Sequence, residues 1–551
     1  MKVNEKTLRW LMLAVIVASF VWNYAAIFDR KLDQNGDNYN YLLLSRNLAL
    51  GKGYVSDVGP TTEPHLHFPP GYPAFLSIFW RLFPDNIMAY KLVNGCLLLL
   101  SLLLLFRIVR KTAGRQGHWI AFAACIFCTF HPKLLRWATI LMSEMLFMTI
   151  SLAIIALFLD LDLEKVRQKD IRNILRLAGI CLLTAALYLV RTMGLALILA
   201  MVLSFLFLAV KAFFHRKTDS KRWVMPLLAA MVVFLSFFIA KECWTLRNQR
   251  VAPGSQNDYM SAFTTPLSSE NAENIWAFRM HRIGYNLQSF VSYYIPYSVL
   301  NPQKAVFYTD IPEESKHWGP GILVIALILV GLLSMKSLAL LGILYIAITF
   351  GVLMLYTPGL ADVRYFLPLL PLMVAAFIAG VCWLVRWLAE RLFPRLDSVW
   401  VIPVVALALG LWLLPKYYES QETYRLLAKA RTYSEVPGAE DFQAYLDMCE
   451  KCKNFPEDWV FVARKPEMFY IYSDFHHALP MPWFKDTNEV LQYLWENNVD
   501  IILIDTYYKM AARVYVPTMK ARPELFQILW SNQSDETPAA IVGFLPTHNE
   551  E

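Results

Sequence analysis

The sequence has few charged residues, and its basic residues do not gather in one patch. Lys, Arg, Asp and Glu make up 17% of the 551 residues, hydrophobic residues make up 57%, and the mean hydropathy is +0.40. Soluble domains carry about 25% charged residues, and one buried core cannot hold this much apolar side chain. A soluble enzyme and a disordered chain are therefore excluded, and an integral membrane protein is predicted.

Other features that the sequence lacks narrow the function further. It contains no repeat of solenoid period and no low-complexity tract. The formal net charge of +7 is spread over many loops, so no nucleic-acid partner is expected. No cluster of carboxylates points to a metal site, and no cofactor is predicted. No clear small-residue cleavage site follows the first apolar run, which we interpret as a retained anchor.

About eleven apolar windows have the length and composition of membrane-spanning helices. They lie near residues 8–28, 87–109, 119–131, 139–160, 177–190, 192–213, 223–243, 319–334, 337–357, 365–385 and 399–415. Most Lys and Arg residues of the short loops fall on the side of the N-terminus, which places that side in the cytoplasm. The prediction is a polytopic α-helical membrane protein.

This orientation puts three long segments outside: 29–86, 244–318 and the tail. Residues 1–415 are predicted to form the transmembrane module, including the first two of these segments. Residues 416–551 are predicted to form an extracytoplasmic α/β domain. Strand-like runs lie at Trp459–Ala463 and Asp500–Asp505, and a capped helix begins near Asp486.

Ionisable residues collect at the outer ends of the predicted spans. Glu144 lies early in a span that enters from outside, Arg191 lies at an outer hairpin, and Arg364 begins an inward span. A transporter usually keeps such residues near the bilayer midplane. A polar site at the outer interface is therefore predicted, with anchoring of each span by snorkelling as the alternative.

The first outer loop contains a short helical pattern that begins at an acidic residue. Asp37, Tyr41, Leu44 and Leu48 fall on one face, and Gly51 follows. The pattern predicts an amphipathic helix that lies in the interface plane and ends at the glycine. Asp37 could serve there simply as a helix N-cap.

Two histidines and a proline-rich segment follow in the same loop. The sequence reads His65-Leu-His67-Phe68-Pro-Pro-Gly-Tyr72-Pro, and its prolines predict a stiff, extended element. A metal site on the two histidines is a weak alternative, because no third ligand lies nearby in sequence.

These motifs resemble the GT-C glycosyltransferases, in particular protein O-mannosyltransferases, the lipid A aminoarabinose transferase and their bacterial relatives. The resemblance covers about residues 8–385. It rests on Asp37-x-x-x-Tyr41, Gly51-x-Gly53-Tyr54 and Pro69-Pro-x-Tyr-Pro73, followed in family order by Ser143-Glu144-Met-Leu-Phe147, Arg191-Thr-Met-Gly194, Trp244-Thr-Leu-Arg247-Asn248 and Arg364-Tyr365-x-x-Pro368-x-x-Pro371.

The resemblance implies transfer of a sugar from a polyprenyl-phosphate carrier, with inversion at the anomeric carbon. The acceptor would be lipid A, a protein or a surface glycan on the outer face of the cytoplasmic (inner) membrane, and the tail would be periplasmic. The catalytic acids of the family correspond to Asp37 and Glu144. A phosphate leaves as a stabilised anion, so one general base suffices.

The chain departs from the family at two positions. Asn38 stands where the family often has a Glu, and Phe68 stands where the aminoarabinose branch has a lysine. A phosphate contact is therefore expected from His67 or from an arginine.

The predicted substrate-binding residues combine guanidinium groups, which suit phosphate, with imidazole and phenol side chains. They are Arg191, Arg247, Arg364, Tyr365, His65, His67 and Tyr72. For the arginines, the alternative is pairing with Asp362, Glu242 or lipid head groups. Two alternative functions are left open: a transporter or flippase of lipid-linked sugars, and a scaffold subunit.

Two of the eight cysteines lie in the tail, three residues apart. Cys449 and Cys452 predict a short structural disulfide in an oxidising compartment. A redox site or half of a zinc site are the alternatives.

Overall fold

The computed structural model describes residues 4–34, 36–114, 116–214, 222–254, 263, 275–302, 311–358, 362–393, 400–484, 486–507 and 510–545. The chain forms two compact units. The helical unit consists of Met1–Phe28, Leu66–Tyr72 and Ala89–Arg425, and the tail unit consists of Asp29–His65, Pro73–Met88 and Leu426–Glu551.

Helices dominate the described part of the chain. In chain order they are α1 Glu5–Ile27, α2 Gly36–Ala49, α3 Gly71–Leu82, α4 Ile87–Thr112, α5 Gly117–Phe130, α6 Pro132–Ala138, α7 Glu144–Asp160, α8 Leu163–Arg167, α9 Ile171–Val190, α10 Leu195–Phe214, α11 Val224–Val251, α12 Ile275–Ser289, α13 Ile295–Leu300, α14 Trp318–Ser334, α15 Ala339–Met354, α16 Val363–Phe366, α17 Leu370–Leu392, α18 Val401–Glu419, α19 Glu422–Lys429, α20 Glu440–Cys452, α21 Pro466–Tyr472, α22 Thr487–Glu496 and α23 Met510–Ala521.

Seven helical segments in the described ranges are long and apolar enough to cross a membrane. They contain α1, α4, α9, α10, α11, α16 with α17, and α18 with α19. The pair α5 and α6 is an eighth candidate, bent by 63°. The bend lies at His131-Pro132, where the proline begins α6 and has no N–H to continue the hydrogen bonds of α5. The chain is therefore a multi-pass helical membrane protein.

All eleven predicted windows coincide with apolar helices, but three of these helices are short. Helices α7, α14 and α15 have 17, 17 and 16 residues. At 1.5 Å per residue they extend over about 25 Å, less than the roughly 30 Å of a hydrocarbon core. Seven or eight of the eleven predicted spans are therefore full-length helical segments, and the other three are apolar helices near the lower limit of length for a span. Periodicity and hydropathy located these helices but did not fix their lengths.

Helices α14 and α17 pack closely through two glycines. A Cβ atom on Gly331 would lie 1.7 Å from the carbonyl oxygen of Ala376, and one on Gly380 would lie 1.9 Å from that of Leu327. The missing side chains let the two backbones approach each other, as small residues do between membrane helices.

A five-stranded mixed sheet forms the centre of the tail unit. Its strands are β3 Phe461–Ala463, β4 Ala478–Pro480, β5 Ile501–Asp505, β6 Phe526–Ser531 and β7 Ala539–Phe544. Two short strands earlier in the chain, β1 Val55–Ser56 and β2 Glu63–Pro64, pair with each other. The order is β4-β3-β5-β7-β6; β3 is parallel to β4 and β5, and β7 is antiparallel to β5 and β6. The α/β class of the tail is confirmed.

Local signals in the tail were read correctly. The runs that end at Ala463 and Asp505 contain β3 and β5. Asp486 caps α22, since its carboxylate accepts hydrogen bonds from the backbone N–H groups of Asn488 and Glu489 at 2.8 and 3.2 Å.

Most of the first outer loop, Asp29–His65 and Pro73–Met88, groups with the tail unit, whereas the predicted domain limits assigned the whole loop to the transmembrane module. Hydrogen bonds account for this grouping. The Tyr433 hydroxyl donates to the carbonyl of Leu32 at 2.5 Å, and the N–H of Ala478 donates to the carbonyl of Val58 at 2.9 Å. Hydropathy places a loop between two spans but does not show what the loop packs against.

Helix α2 differs from the prediction in its burial. It ends at Ala49, before Gly51 with its positive φ of 78°, as expected. However, Asn38, Tyr39, Tyr41 and Leu43, among others, are buried, and these residues point in different directions around the axis. The prediction of a one-faced amphipathic helix was therefore wrong, because α2 also packs against the distant segment α21, where the rings of Tyr39 and Tyr472 lie 5.8 Å apart.

The tail cysteines are both free thiols, so the predicted disulfide is not formed. Cys449 and Cys452 lie in the last turn of α20 and are fully buried. Burial raises the pKa of both thiols far above the usual range. They pack as small apolar side chains.

Candidate functional site

Three of the predicted site residues come together in the helical unit. Glu144 begins α7, Arg191 follows the end of α9, and Arg364 lies in α16. Arg191 Nη1 lies 2.7 Å and Arg364 Nε 2.8 Å from the same carboxylate oxygen, Glu144 Oε1. We call Arg191 and Arg364 the arginine pair.

The two guanidinium groups are more exposed than the Glu144 carboxylate that they contact. The side chain of Glu144 is 1% exposed, whereas those of Arg191 and Arg364 are 14% and 20% exposed. Glu144 Oε2 is buried and has no hydrogen-bond partner among the described residues. An acceptor hydroxyl cannot reach this carboxylate from solvent, but both guanidinium groups stay partly accessible above it.

Neighbouring groups fix each arginine. The Ser143 hydroxyl accepts a hydrogen bond from Arg191 Nη1 at 3.1 Å. Asp362 caps α16 and accepts the backbone N–H of Arg364 at 2.7 Å. The two arginines therefore belong to separate elements. Hydrogen bonds fix the side chain of Arg191 and the backbone of Arg364.

Two further charged residues influence this cluster. Burial raises the pKa of Asp362 to about 6, although the N–H and the charge of Arg364 oppose the shift. Lys133, 7% exposed, is close enough for its charge to act on Asp362. Three cationic side chains thus meet two carboxylates, and positive charge is in excess even when Asp362 is ionised.

The remaining predicted residues of the helical unit lie in other settings. Arg247 donates to the Asn248 side chain at 2.9 Å and lies 5.3 Å from the Trp244 ring. Tyr365 donates its hydroxyl to that of Tyr356 at 3.2 Å.

Tyr72 is fully buried, and its hydroxyl is used inside the protein. It lies 3.1 to 3.3 Å from the side-chain amide of Asn94, whose nitrogen also donates to the carbonyl of Ile140 at 2.6 Å. This geometry joins α3, α4 and the segment before α7, so the described contacts of Tyr72 are structural.

The two histidines fall in different units. The N–H of His65 donates to the carbonyl of Tyr54 at 3.1 Å, and the ring packs on that tyrosine. The His67 ring packs edge-on against Phe68 at 4.7 Å. In the part of the chain that the structure describes, no group of three or more His, Cys, Asp or Glu residues could hold a metal ion.

Asp37 lies in the first turn of α2 in the tail unit and is partly exposed. The two aspartates that precede it in the loop are more deeply buried: Asp29 is 0% and Asp33 8% exposed, and Asp29 pairs with Lys31 at 2.8 Å. Asn38, which departs from the family pattern, is fully buried. Asp37 is thus the most accessible of these three aspartates.

Sequence reasoning missed part of the site. Lys133 was not among the predicted site residues. Asp362 was expected among the ionisable residues at the outer ends of the spans and as a possible partner of an arginine, but not as a helix cap. One signal in the sequence could have indicated the capping role of Asp362. Asp362 lies two residues before Arg364 at the start of a helix, and an aspartate at such a position is typical of an N-cap.

Solved structures share this fold at low sequence identity. The archaeal oligosaccharyltransferase AglB from Archaeoglobus fulgidus, in complex with an inhibitory peptide and a dolichol-phosphate, has a TM-score of 0.57 and 12% identity over 98% of this chain and 74% of that one. ArnT from Cupriavidus metallidurans, bound to undecaprenyl phosphate, has a TM-score of 0.56 and 13% identity over 98% of both chains. The Archaeoglobus enzyme in complex with zinc and sulfate has a TM-score of 0.56 and 13% identity, covering 97% of this chain and 73% of that one.

The sequence matches no protein-family profile and no curated protein. The likeness to AglB and ArnT confirms, at the level of the fold, the resemblance to GT-C glycosyltransferases that the motifs predicted.

Proposed function

We propose that the chain is an inverting glycosyltransferase that moves a sugar from a polyprenyl-phosphate carrier to an acceptor outside the cytoplasmic membrane. The observation that carries the proposal is the arginine pair on one buried carboxylate, in a chain that shares its fold with structures holding dolichol-phosphate and undecaprenyl phosphate. The acceptor class is lipid A, a protein or a surface glycan.

The arginine pair binds the phosphate of the carrier. Each guanidinium group carries five donors, and the side chains of Arg191 and Arg364 stay 14% and 20% exposed. Planar guanidinium groups bind phosphate oxygens through paired hydrogen bonds. The excess positive charge stabilises the carrier phosphate as it leaves.

Asp37 acts as the general base. Its carboxylate takes the proton of an acceptor hydroxyl, the acceptor oxygen attacks the anomeric carbon, and the bond from that carbon to the phosphate oxygen breaks. The bonding electrons leave with the carrier phosphate. Attack from the face opposite the leaving group inverts the anomeric configuration. Among Asp29, Asp33 and Asp37, Asp37 has the accessibility that this role requires.

Glu144 is assigned a positioning role rather than that of a base. Its buried carboxylate is bonded by both arginines, which would have to move before it could meet an acceptor. Its negative charge lets two guanidinium groups approach the same carboxylate oxygen, so that both can act on one phosphate. Burying the Glu144 charge is costly, and the ion pairs of Oε1 with Arg191 and Arg364, at 2.7 and 2.8 Å, offset part of this cost.

Binding of undecaprenyl phosphate to the purified full-length protein tests the phosphate site without knowledge of the sugar. Arg191→Ala and Arg364→Ala should each weaken binding by about ten- to a hundredfold, because a hydrogen bond to a charged group contributes about 1.5–3 kcal/mol. Undecaprenol, which lacks the phosphate, should bind equally to all variants.

Arg386→Ala provides the matched control, because this exposed arginine pairs with Glu390 at 2.7 Å on the surface of α17. It should leave binding unchanged. Equal affinity of all three variants for undecaprenyl phosphate would contradict the assignment of the arginine pair. Movement of intact lipid-linked sugar without formation of a glycoside would instead favour the transporter.

A further inference from the structure

In the tail unit, side chains from the tail hold the loop that leads to Asp37. We propose that Tyr433 and Tyr507 are positioning residues, which fix the backbone of this loop and thereby set the position of the Asp37 carboxylate. The inference rests on the proposed role of Asp37 as the general base and gives the tail a part in the reaction.

Tyr433 holds the beginning of the loop. It is 3% exposed, and its hydroxyl donates to the backbone carbonyl of Leu32 at 2.5 Å. Its ring lies 5.5 Å from Lys31 Nζ, which donates to the carbonyls of Leu427 and Ala430, each at 2.7 Å. These carbonyls lie at the end of α19, where a cation also meets the negative end of the helix dipole.

Tyr507 holds the loop three residues before Asp37. Its hydroxyl donates to the backbone carbonyl of Gln34 at 3.1 Å. The residue follows β5, and its ring lies 4.8 Å from that of Phe442, which is fully buried in α20. The phenol is therefore anchored by packing at one end and bonds the loop at the other.

The tail also contacts the loop immediately beside and after Asp37. The Lys465 side chain lies so close to Gly36 that a Cβ there would be 3.0 Å from a Lys465 carbon atom. The Tyr39 hydroxyl donates to the Tyr472 hydroxyl at 3.2 Å. Asp37 therefore lies between positions that the tail contacts on both sides.

Two properties make the tyrosines positioning residues rather than general packing residues. Each hydroxyl satisfies a backbone carbonyl, and a buried carbonyl that loses its partner must find another by moving. Loss of one oxygen atom changes the packing of the ring very little. Misplacement of a reacting group by about 1 Å costs up to a hundredfold in rate, so a small shift of the loop is sufficient.

The experiment compares Tyr433→Phe and Tyr507→Phe with Tyr445→Phe in the full-length protein in lipid nanodiscs. Tyr445 is a matched control: it is fully buried, its ring lies 6.3 Å from that of Tyr507, and its hydroxyl lies beside the Cys449 thiol of its own helix. Turnover is measured as release of carrier phosphate from a panel of synthetic undecaprenyl-phosphate-linked hexoses and pentoses with a membrane extract as acceptor.

Tyr433→Phe and Tyr507→Phe should lower kcat by about tenfold or more without changing KM for the donor or the melting temperature relative to Tyr445→Phe. Backbone amides 31–39 should exchange hydrogen faster in both variants and at the wild-type rate in the control. In an Asp37→Glu background, where the carboxylate is already displaced, Tyr507→Phe should have less than about a twofold effect, since coupled residues are not additive.

Unchanged kcat in both variants, or unchanged amide exchange of the loop, would overturn the inference. So would an equal loss in Tyr445→Phe, which would indicate general destabilisation. An inactive Asp37→Asn variant together with wild-type turnover of both tyrosine variants rejects only this inference. Full activity of Asp37→Asn rejects the proposed base itself.

Discussion

The roles assigned to single residues depend on which carboxylate side chains are accessible to an acceptor. The resemblance to GT-C enzymes predicts Asp37 as the base and Glu144 as a second acid. In the structure, Glu144 is 1% exposed and contacts two guanidinium groups, and Asp37 is partly exposed at the start of a helix. The same burial decides the roles of the arginines. Sequence reasoning allowed them to pair with Asp362 or Glu242, yet Arg191 and Arg364 share Glu144, and Glu242 pairs with Lys241 at 2.5 Å.

Donor binding should depend on pH through Asp362. With its pKa raised to about 6, this residue loses its negative charge as the pH falls through that value, and the arginine pair then faces less competition for the phosphate. A sugar linked by a phosphodiester keeps one negative charge throughout, so its affinity should rise about three- to tenfold between pH ~7.5 and ~5.

Asp362→Asn removes the titrating group and keeps an acceptor for the helix cap. This variant should bind the donor tightly at both pH values in the same equilibrium measurement. A pH profile identical to that of the wild type would show that another group is responsible.

For helices and strands, the sequence predicted caps, ends and positions that depend on neighbouring residues, but not contacts with distant parts of the chain. The Asp486 cap, the glycine after α2 and the strands that end at Ala463 and Asp505 each depend on a few neighbouring residues, and each was found. The all-round burial of α2 was missed, because it depends on contacts such as that of Tyr39 with Tyr472, far along the chain.

The contact between α14 and α17 depends on the absence of two side chains. Gly380→Ala would place a Cβ about where the Leu327 carbonyl oxygen lies, so the helices must separate. We expect a lower melting temperature in detergent, corresponding to about 1–3 kcal/mol or more, as for other overpacked sites.

Gly351→Ala is the control for this substitution, because nothing lies within 4 Å of the added methyl group on the exposed face of α15. It should leave the melting temperature unchanged or raise it slightly, since Ala is the better helix former. Equal stability of the two variants would argue against close packing at Gly380.

At the scale of the whole molecule, composition and hydropathy predicted the fold class, but not how the chain divides. The apolar windows and the resemblance to GT-C enzymes agree with a fold shared over 98% of the chain with ArnT and AglB. The grouping of most of the first outer loop with the tail could not be predicted. Leu32 and Gln34 bond tyrosines 401 and 473 residues away through backbone atoms, which carry no sequence signal.

Sugar transfer by the Asp37→Asn variant tests most directly whether Asp37 is the general base. The purified variant is given the panel of undecaprenyl-phosphate-linked sugars with a membrane extract, and new glycoside and free carrier phosphate are measured. Asp85→Asn, at an exposed aspartate of the same outer loop with a positive φ of 52°, is the control. The account predicts that Asp37→Asn binds undecaprenyl phosphate and melts like the wild type but forms no glycoside, while Asp85→Asn transfers normally. Glycoside formation by Asp37→Asn at the wild-type rate would contradict it.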